Sequence, residues 1–462
     1  VDKFFKLKEN GTNVKTEVVA GITTFLAMAY IIFVNPNILG LAGMDKGAVM
    51  VATCIASALG TLLIGLLSNY PFAQAPGMGL NAFFAFTICG TLGYSWQAGL
   101  AAVFISGLVF ILITVTGLRE KIVIAIPGFL KKAISGGIGL FIAYIGIKNA
   151  GFLKFTIDPG NYADFDGTIV ANSSPVPAFN FASAGAILAI IGLIITVVLY
   201  AYHVKGAFLI SIVGTSVIGC IMQFGFGIEL GITLPTGFSI ASLAPTFGAF
   251  LGGFSELFIT SQGIFVAIIS VVAVLISLTM VDMFDTIGTL VGAAAKGGFL
   301  DKDGNLPRAG KALLADAIAT SCGAVLGTST VTTYVESSAG IAAGGKTGLT
   351  SVTTSILFLL AIVFSPVLGL VPTAATAPIL IIVGVLMMGA IKDIDWHDFE
   401  VAVPAFLTVA CMPLAYSIAD GIAAGFIFYS LIKLFRGKGK EVSPILYVIS
   451  ILFIIRYFII MM

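Results

Sequence analysis

An all-α polytopic membrane protein is the fold class this sequence predicts, with two sets of seven spans in opposite orientation. Three observations carry that expectation. Of 462 residues, 58% are apolar and only 10% are charged, against roughly 25% charged in soluble proteins. The apolar residues gather into about fourteen runs near the ~20 residues that a spanning helix needs. Finally, the third run of each set of seven contains residues that resist helix. The 23 Lys+Arg and 22 Asp+Glu leave a formal charge of +1, which offers no basic footprint for nucleic acid. A soluble enzyme, a disordered chain and a nucleic-acid-binding module are excluded together.

In chain order the first set of spans covers 18–41, 47–68, 72–90, 96–117, 133–151, 181–202 and 206–224. An amphipathic stretch near 235–262 precedes the second set, which covers 264–295, 309–326, 330–345, 349–370, 374–391, 400–416 and 419–436. A last apolar piece, 443–461, carries Arg456 and reads either as a further span or as a helix lying in the interface. The N-terminal run follows Lys3, Lys6, Lys8 and Lys15 and is too long for a signal-peptide core, so it reads as the first span.

Loop charge tests this path. With a cytoplasmic N-terminus, 19 of the 23 Lys+Arg fall inside, among them Arg119, Lys121, Lys131, Lys132, Lys205 and Lys302. Only Lys46, Lys148 and Lys154 fall outside, where the 152–180 loop is acidic with Asp158, Asp164 and Asp166. That asymmetry is the one the positive-inside rule demands.

Spans three and ten are interrupted. The third reads NYPFAQAPGMGLNAFFAF over 69–86, with Pro71, Pro76, Gly77 and Gly79 where a helix should be continuous. The tenth, GTSTVTTYVESSAGIAAGG over 327–345, opens on a β-branched run that favours extended backbone. Broken segments at matching places in two halves point to the central site of a transporter. Their non-helical backbone must be sheltered by protein or a hydrated cavity. An extended piece from each half would pair with the other as short central strands, giving a seven-plus-seven inverted-repeat transporter. The alternative is a plain bundle with proline kinks.

Four acids stand inside these spans: Asp282, Asp285, Asp316 and Glu336. An Asp at a helix centre costs ~2.5–3.5 kcal/mol on insertion scales. No Lys or Arg lies deep in spans eight, nine or ten to neutralise them. Asp282 and Asp285, three apart in VDMFDT, share a helix face. Glu336 falls where extended backbone turns to helix, beside Thr332, Thr333, Ser337 and Ser338. The bland reading of all four is helix capping. Asp420 opens span fourteen and reads as its N-cap. Asn81 is the polar residue of span three, with Phe83, Phe84 and Phe86 behind it. Carboxyls, an amide, hydroxyls and aromatics together suit a planar neutral heterocycle better than a small anion.

Other signals are weak. Five scattered cysteines without a CxxC pair read as packing residues. His203 and His397 sit apart, which makes a metal site improbable. The 301–305 DKDGN segment reads as a turn rather than a calcium loop. Sequons at Asn10 and Asn172 are unspecific. No Walker motif, cofactor motif or catalytic set is visible, so no enzyme activity and no cofactor are expected.

Five stretches, TTFLAMAYIIFVNP (23–36), APGMGLNAFFAF (75–86), VDMFDTIGTLVG (281–292), LPRAGKALLADAIAT (306–320) and TSTVTTYVESSAGIAAGGKTGLT (328–350), resemble the AzgA-like purine permeases. These are a branch of the nucleobase–cation symporters, related to uracil and xanthine/uric-acid carriers, and the resemblance runs over nearly the whole chain. It implies a core domain (1–118 and 264–372, spans 1–4 and 8–11) and a gate domain (119–263 and 373–462, spans 5–7 and 12–14), with the base bound between them. Carried over by motif, Asp285 and Glu336 would hold the base, with Asn81, Thr333 and the backbone around Val335 beside it. Asp282, Asp285 and Asp316 are the candidates for the coupling proton. Asp282 in VDMFDT matches guanine/hypoxanthine carriers; similar adenine carriers tend to have Asn there. A homodimer in the plasma membrane is likewise implied. Proton-coupled purine uptake is therefore the expectation; sodium coupling, an adenine, xanthine or uracil substrate, or anion exchange on the same fold remain open alternatives.

Overall fold

The structure, a computed structural model, describes residues 2–117, 125–157, 162–165, 168–171, 175–234, 240–258, 264–301 and 306–461. Arg119, Lys121, Asp158, Asp166, Lys302 and the rest of the 302–305 turn, and the Asn172 sequon lie outside the described residues. Helices occupy the expected spans in order. Ten of them, among the described residues, have the length and hydropathy to cross a membrane; Met78–Thr91, Ala267–Met283, Phe399–Leu414 and Pro444–Ile455 are shorter apolar helical stretches.

Local chemistry sets several boundaries. Asp45 caps span two (Lys46–Ser68) by accepting from Ala48 N at 2.7 Å, satisfying one of the amides that a helix start leaves unpaired. Ser95 and Ser183 do the same for spans four (Trp96–Val115) and six (Ala184–Ala201). Pro127 immediately precedes span five (Gly128–Asn149), which begins earlier than the expected residue 133. Span fourteen (Ile418–Phe435) corrects an expectation. Its cap is Ser417, whose hydroxyl accepts from Asp420 N at 3.3 Å, while Asp420 lies inside the first turn.

Span one is two helices, Val14–Met28 and Ile31–Gly40, with a break at Ala29 and Tyr30 that contains neither glycine nor proline. The connection from span five to span six holds two short hairpin pairings, Leu153–Ile157 with Pro175–Phe179 and Tyr162–Phe165 with Thr168–Ala171. The amphipathic stretch contributes one helix, Phe250–Leu257, which lies against span four.

The open question of 443–461 has a geometric answer. Helix Pro444–Met461 runs antiparallel to span fourteen, tied to it at two depths and to the turn that joins them. Tyr447 OH donates to Gly439 O (3.0 Å), Ser450 meets Ser430 (3.2 Å), and Tyr457 OH donates to Asp420 Oδ1 (2.7 Å). A helix that returns alongside a spanning neighbour from the turn after it to its first turn lies parallel to that neighbour's axis and reads as a further span.

Spans three and ten pair as the sequence suggests. Strand Gln74–Pro76 lies antiparallel to strand Val331–Thr333, with Gln74 opposite Thr333 and Pro76 opposite Val331. Gly77 N donates to Thr330 O (3.0 Å) and Tyr334 N to Ala73 O (2.9 Å), extending the ladder at both ends. Helices Met78–Ala82, continued by a π-helical stretch Phe83–Thr91, and Ser337–Ala342 complete the two spans.

Packing reveals the repeat. Shifting each span number by seven maps most of the contacts between spans onto one another. Span two packs on eleven as nine packs on four; span thirteen packs on five as six packs on twelve; span seven packs on one as fourteen packs on eight. Spans five and twelve pack on each other, and so do two and nine. An odd number of spans per repeat inverts the second, and the antiparallel strand pair lies at the crossing. This is a polytopic, all-α, seven-plus-seven inverted-repeat membrane protein with short central strands.

Candidate functional site

A two-stranded ladder inside a membrane protein leaves two outer edges of polar backbone, and unpaired groups there cost several kcal/mol each. Threonines at equivalent places of the repeat cover them. Thr61 of span two donates to Gln74 O (3.0 Å) and accepts from Gln74 N (2.9 Å). Thr320 of span nine (Ala309–Leu326) donates to Val331 O at 3.0 Å. The segment before the second strand is anchored from behind as well. Asn35 Nδ2 donates to both Thr53 (2.7 Å) and Thr328 (2.9 Å), and the Ser329 hydroxyl donates to Asn81 Oδ1.

One side of this crossing opens into a cavity of about 850 Å³. Its floor gathers side chains from four spans: Tyr30 of span one, Asp285 of span eight (Ile264–Gly297), and Thr333, Tyr334 and Glu336 of span ten, with Met78 and Gly79 of span three beside them. Tyr30 OH donates to Glu336 Oε1 at 2.6 Å. Tyr334 OH donates to Pro76 O at 2.5 Å and pins the strand end. Asp285 lies beside the start of the span-three helix: a β-carbon built on Gly77 would stand 3.7 Å from Asp285 Oδ2. The same carbon would come within 2.6 Å of Thr332 Cγ2, so glycine is what lets strand and carboxyl approach.

Of the residues singled out from sequence, Asp285, Glu336, Thr333 and Val335 line this one cavity, and the Val335 side chain is 52% exposed there. Capping explains neither acid. Asp285 lies well inside a 34-residue helix. Glu336 holds the N-cap position of Ser337–Ala342, yet its side chain makes no capping bond and engages Tyr30 instead.

Asp316, Asp282 and Asn81 are fully buried and do not line the cavity. Asp316, inside span nine, accepts from Gln74 Nε2 (3.2 Å) and from Thr286 Oγ1 (3.0 Å). Thr286 Oγ1 lies 2.7 Å from Thr332 Oγ1. A hydroxyl has one proton, so with Thr286 donating to the carboxylate, Thr332 donates to Thr286. Gln74 Nε2 also reaches Thr333 Oγ1 (3.2 Å), which joins Asp316 to the cavity wall through the strands. Asp282 lies one helical turn before Asp285. Asn81 ties the two repeats together through Ser329.

Sequence reasoning missed Tyr30 and Tyr334. Tyr30 lies deep in an apolar run and Tyr334 in a Thr/Ser-rich one; a buried phenol needs a hydrogen-bond partner, and that requirement was the available signal. The mouth of the cavity was also missed. It carries Lys131 and Lys132 of span five and His203 and Lys205 from the link between spans six and seven.

Comparison with known proteins gives a consistent picture. Residues 15–424 match the model of the Permease family. The guanine/hypoxanthine permease PbuG of Bacillus subtilis (strain 168) is 47% identical over 465 residues, covering 98% of this chain and 98% of that one. The adenine permease AdeP of Escherichia coli (strain K12) is 40% identical over 460 residues, 99% of this chain and 95% of that one. Among solved structures, the transmembrane domain of the cyanobacterial bicarbonate transporter BicA aligns with a TM-score of 0.61 at 16% identity. It covers 89% of this chain and 97% of that chain, a likeness of fold alone.

Proposed function

The chain belongs to the Permease family, and from that membership we propose that it imports purine nucleobases, guanine and hypoxanthine above others, together with protons by alternating access. The observation that carries the reading is a single cavity on whose floor Asp285 and Glu336 meet beneath the paired strands, with Tyr30 and Thr333 at hand. A purine edge alternates donors and acceptors, and two carboxyls with neighbouring hydroxyls match it in kind. PbuG, by its name a guanine/hypoxanthine permease, supports the oxopurine preference, as does Asp282 in the VDMFDT stretch. AdeP keeps adenine as the competing substrate.

In the proposed cycle a proton from outside loads Asp282 or Asp285, and the base then binds. Asp285 and Glu336 hold its ring edge, with Tyr30 fixing the Glu336 rotamer. Asp316, linked to the cavity wall through Gln74 and Thr333, is a third candidate for the proton. Asn81 braces the site from behind, through Ser329, rather than touching the base. A core of spans 1–4 and 8–11 then moves against a gate of spans 5–7 and 12–14, a division supported by the mutual packing of spans five and twelve. Coupling arises because an empty, ionised site is costly to carry through a low-dielectric barrier.

The lysines at the cavity mouth support a cytoplasmic N-terminus in the plasma membrane and a conformation open to the cytoplasm. The carrier works as a homodimer in this reading, performs no enzymatic step and needs no cofactor beyond the coupling ion. Two carboxyls at the floor disfavour an anion as cargo. Sodium is the runner-up coupling ion, because carboxylates and exposed carbonyls bind it as well.

Counterflow in proteoliposomes, with pH and sodium gradients imposed separately, tests the proposal. Labelled guanine should accumulate under an inward proton gradient and not under a sodium gradient. Unlabelled hypoxanthine should compete better than adenine, xanthine or uracil. Accumulation driven by sodium alone would reject proton coupling.

A further inference from the structure

The cavity is much larger than one base, and its chemistry changes along its length. On span one its lining runs from Tyr30 to Thr23, and on span twelve (Thr373–Met388, extended by Gly389–Asp393) from Val383 to Ala390. Seven residues of helix correspond to about 10 Å of depth. The acids of the lining, Asp285 and Glu336, are both at the floor. The basic groups, Lys131, Lys132, His203 and Lys205, are all at the mouth. Lys132 Nζ donates to Asp393 O (3.2 Å) at the C-terminal end of span twelve.

A general excess of cytoplasmic lysine explains why cations stand on this face. It does not explain why they converge on one vestibule whose wall contributes no acid at that depth. A neutral base gains nothing from such a rim. A ligand with a purine at one end and a dianion at the other would use both ends of the cavity. A phosphate monoester carries ≈ −1.5 to −2 charges at neutral pH, and lysine binds phosphate as a point charge.

We propose that the vestibule binds purine nucleoside 5′-monophosphates from the lysine-bearing face, with the base on the Asp285–Glu336 floor and the phosphate on Lys131, Lys132 and Lys205, and that this occupancy arrests the transport cycle. The ribose bridges the two ends and is too bulky to pass the strand crossing with the base. The cell's own purine nucleotides would thereby throttle further uptake. The inference rests on the base-binding reading above and adds a ligand class, a second contact region and a mode of regulation.

The test is displacement of labelled guanine from purified protein in nanodiscs of phosphatidylcholine, which removes anionic lipid headgroups as a source of phosphate. Guanosine 5′-monophosphate should displace guanine about tenfold more tightly than guanosine, from the charge-assisted contacts of its phosphate. High salt should shrink that advantage. The combined variant Lys131→Gln, Lys132→Gln, Lys205→Gln should abolish it while guanine binding, the check on folding, stays within about twofold. Equal displacement by the two ligands in the unaltered protein would overturn the proposal, as would a full nucleotide advantage in the triple variant. Adding phosphatidylglycerol distinguishes the phosphate sources: loss of the nucleotide advantage assigns the rim to lipid and overturns the proposal, and its retention supports it. Absence of guanine binding altogether would instead reject the base-binding reading, so the two failures are distinguishable.

Discussion

Tyr30 and Glu336 stand 306 positions apart in the chain and 2.6 Å apart in space. A hydrogen bond to a charged group contributes about 1.5–3 kcal/mol. Tyr30→Phe, which keeps the ring and removes only the hydroxyl, should therefore lower guanine uptake by roughly tenfold or more with expression unchanged; proteoliposome uptake at matched protein reads it out. Asp316 invites a different prediction. Asp316→Ala removes the acceptor of both Gln74 and Thr286 in a fully buried place. It should lower stability by about 1–3 kcal/mol for each group left unpaired, seen as a fall in melting temperature in detergent. The acids were legible from sequence because a carboxyl in oil demands a reason. Tyr30 was not, because a tyrosine in an apolar run passes for packing. Asn81 was legible as unusual but not as buried, since its partner Ser329 comes from the other repeat, 248 positions away.

Elements meet through glycines at several crossings. A β-carbon on Gly340 would overlap Thr24 Oγ1 and stand 2.7 Å from Ala20 O, so the span-ten helix could not lie against span one. Gly340→Ala should shift the helix that follows Glu336 and abolish uptake. Gly214→Ala, in span seven with open space around its β-position, should preserve uptake and raise helix stability slightly, by up to about 1 kcal/mol. Parallel uptake and thermal-shift measurements on the two variants separate close packing from a general effect of losing glycine. The breaks in spans three and ten were written in Pro71, Pro76 and the β-branched run of 330–333. The break in span one was not, because Ala29 and Tyr30 carry no local signal. The hairpins between spans five and six were equally hidden, for their longer pairing joins Leu153–Ile157 to Pro175–Phe179 across a loop. The final helix was undecidable from hydropathy, and the bonds to Asp420, Ser430 and Gly439 give it its direction.

At the scale of the molecule, two features visible in the sequence converge: a lysine asymmetry that alternates with the spans, and two broken segments at equivalent places. Together they foretold an inverted repeat, and the sevenfold shift in the packing map bears it out. What sequence could not foretell is the side on which the cavity opens, because that depends on how spans five and twelve sit against the rest. A pH profile follows from the proposed coupling. Uptake should fall as external pH rises, because proton loading from outside precedes base binding. The central claim is that the carboxyls beneath the strand pair hold the purine. Guanine counterflow by Asp285→Asn and Glu336→Gln, each reconstituted at the level of the unaltered protein, tests it most directly. The account predicts exchange by the unaltered carrier and none by either variant; undiminished exchange by both would contradict it.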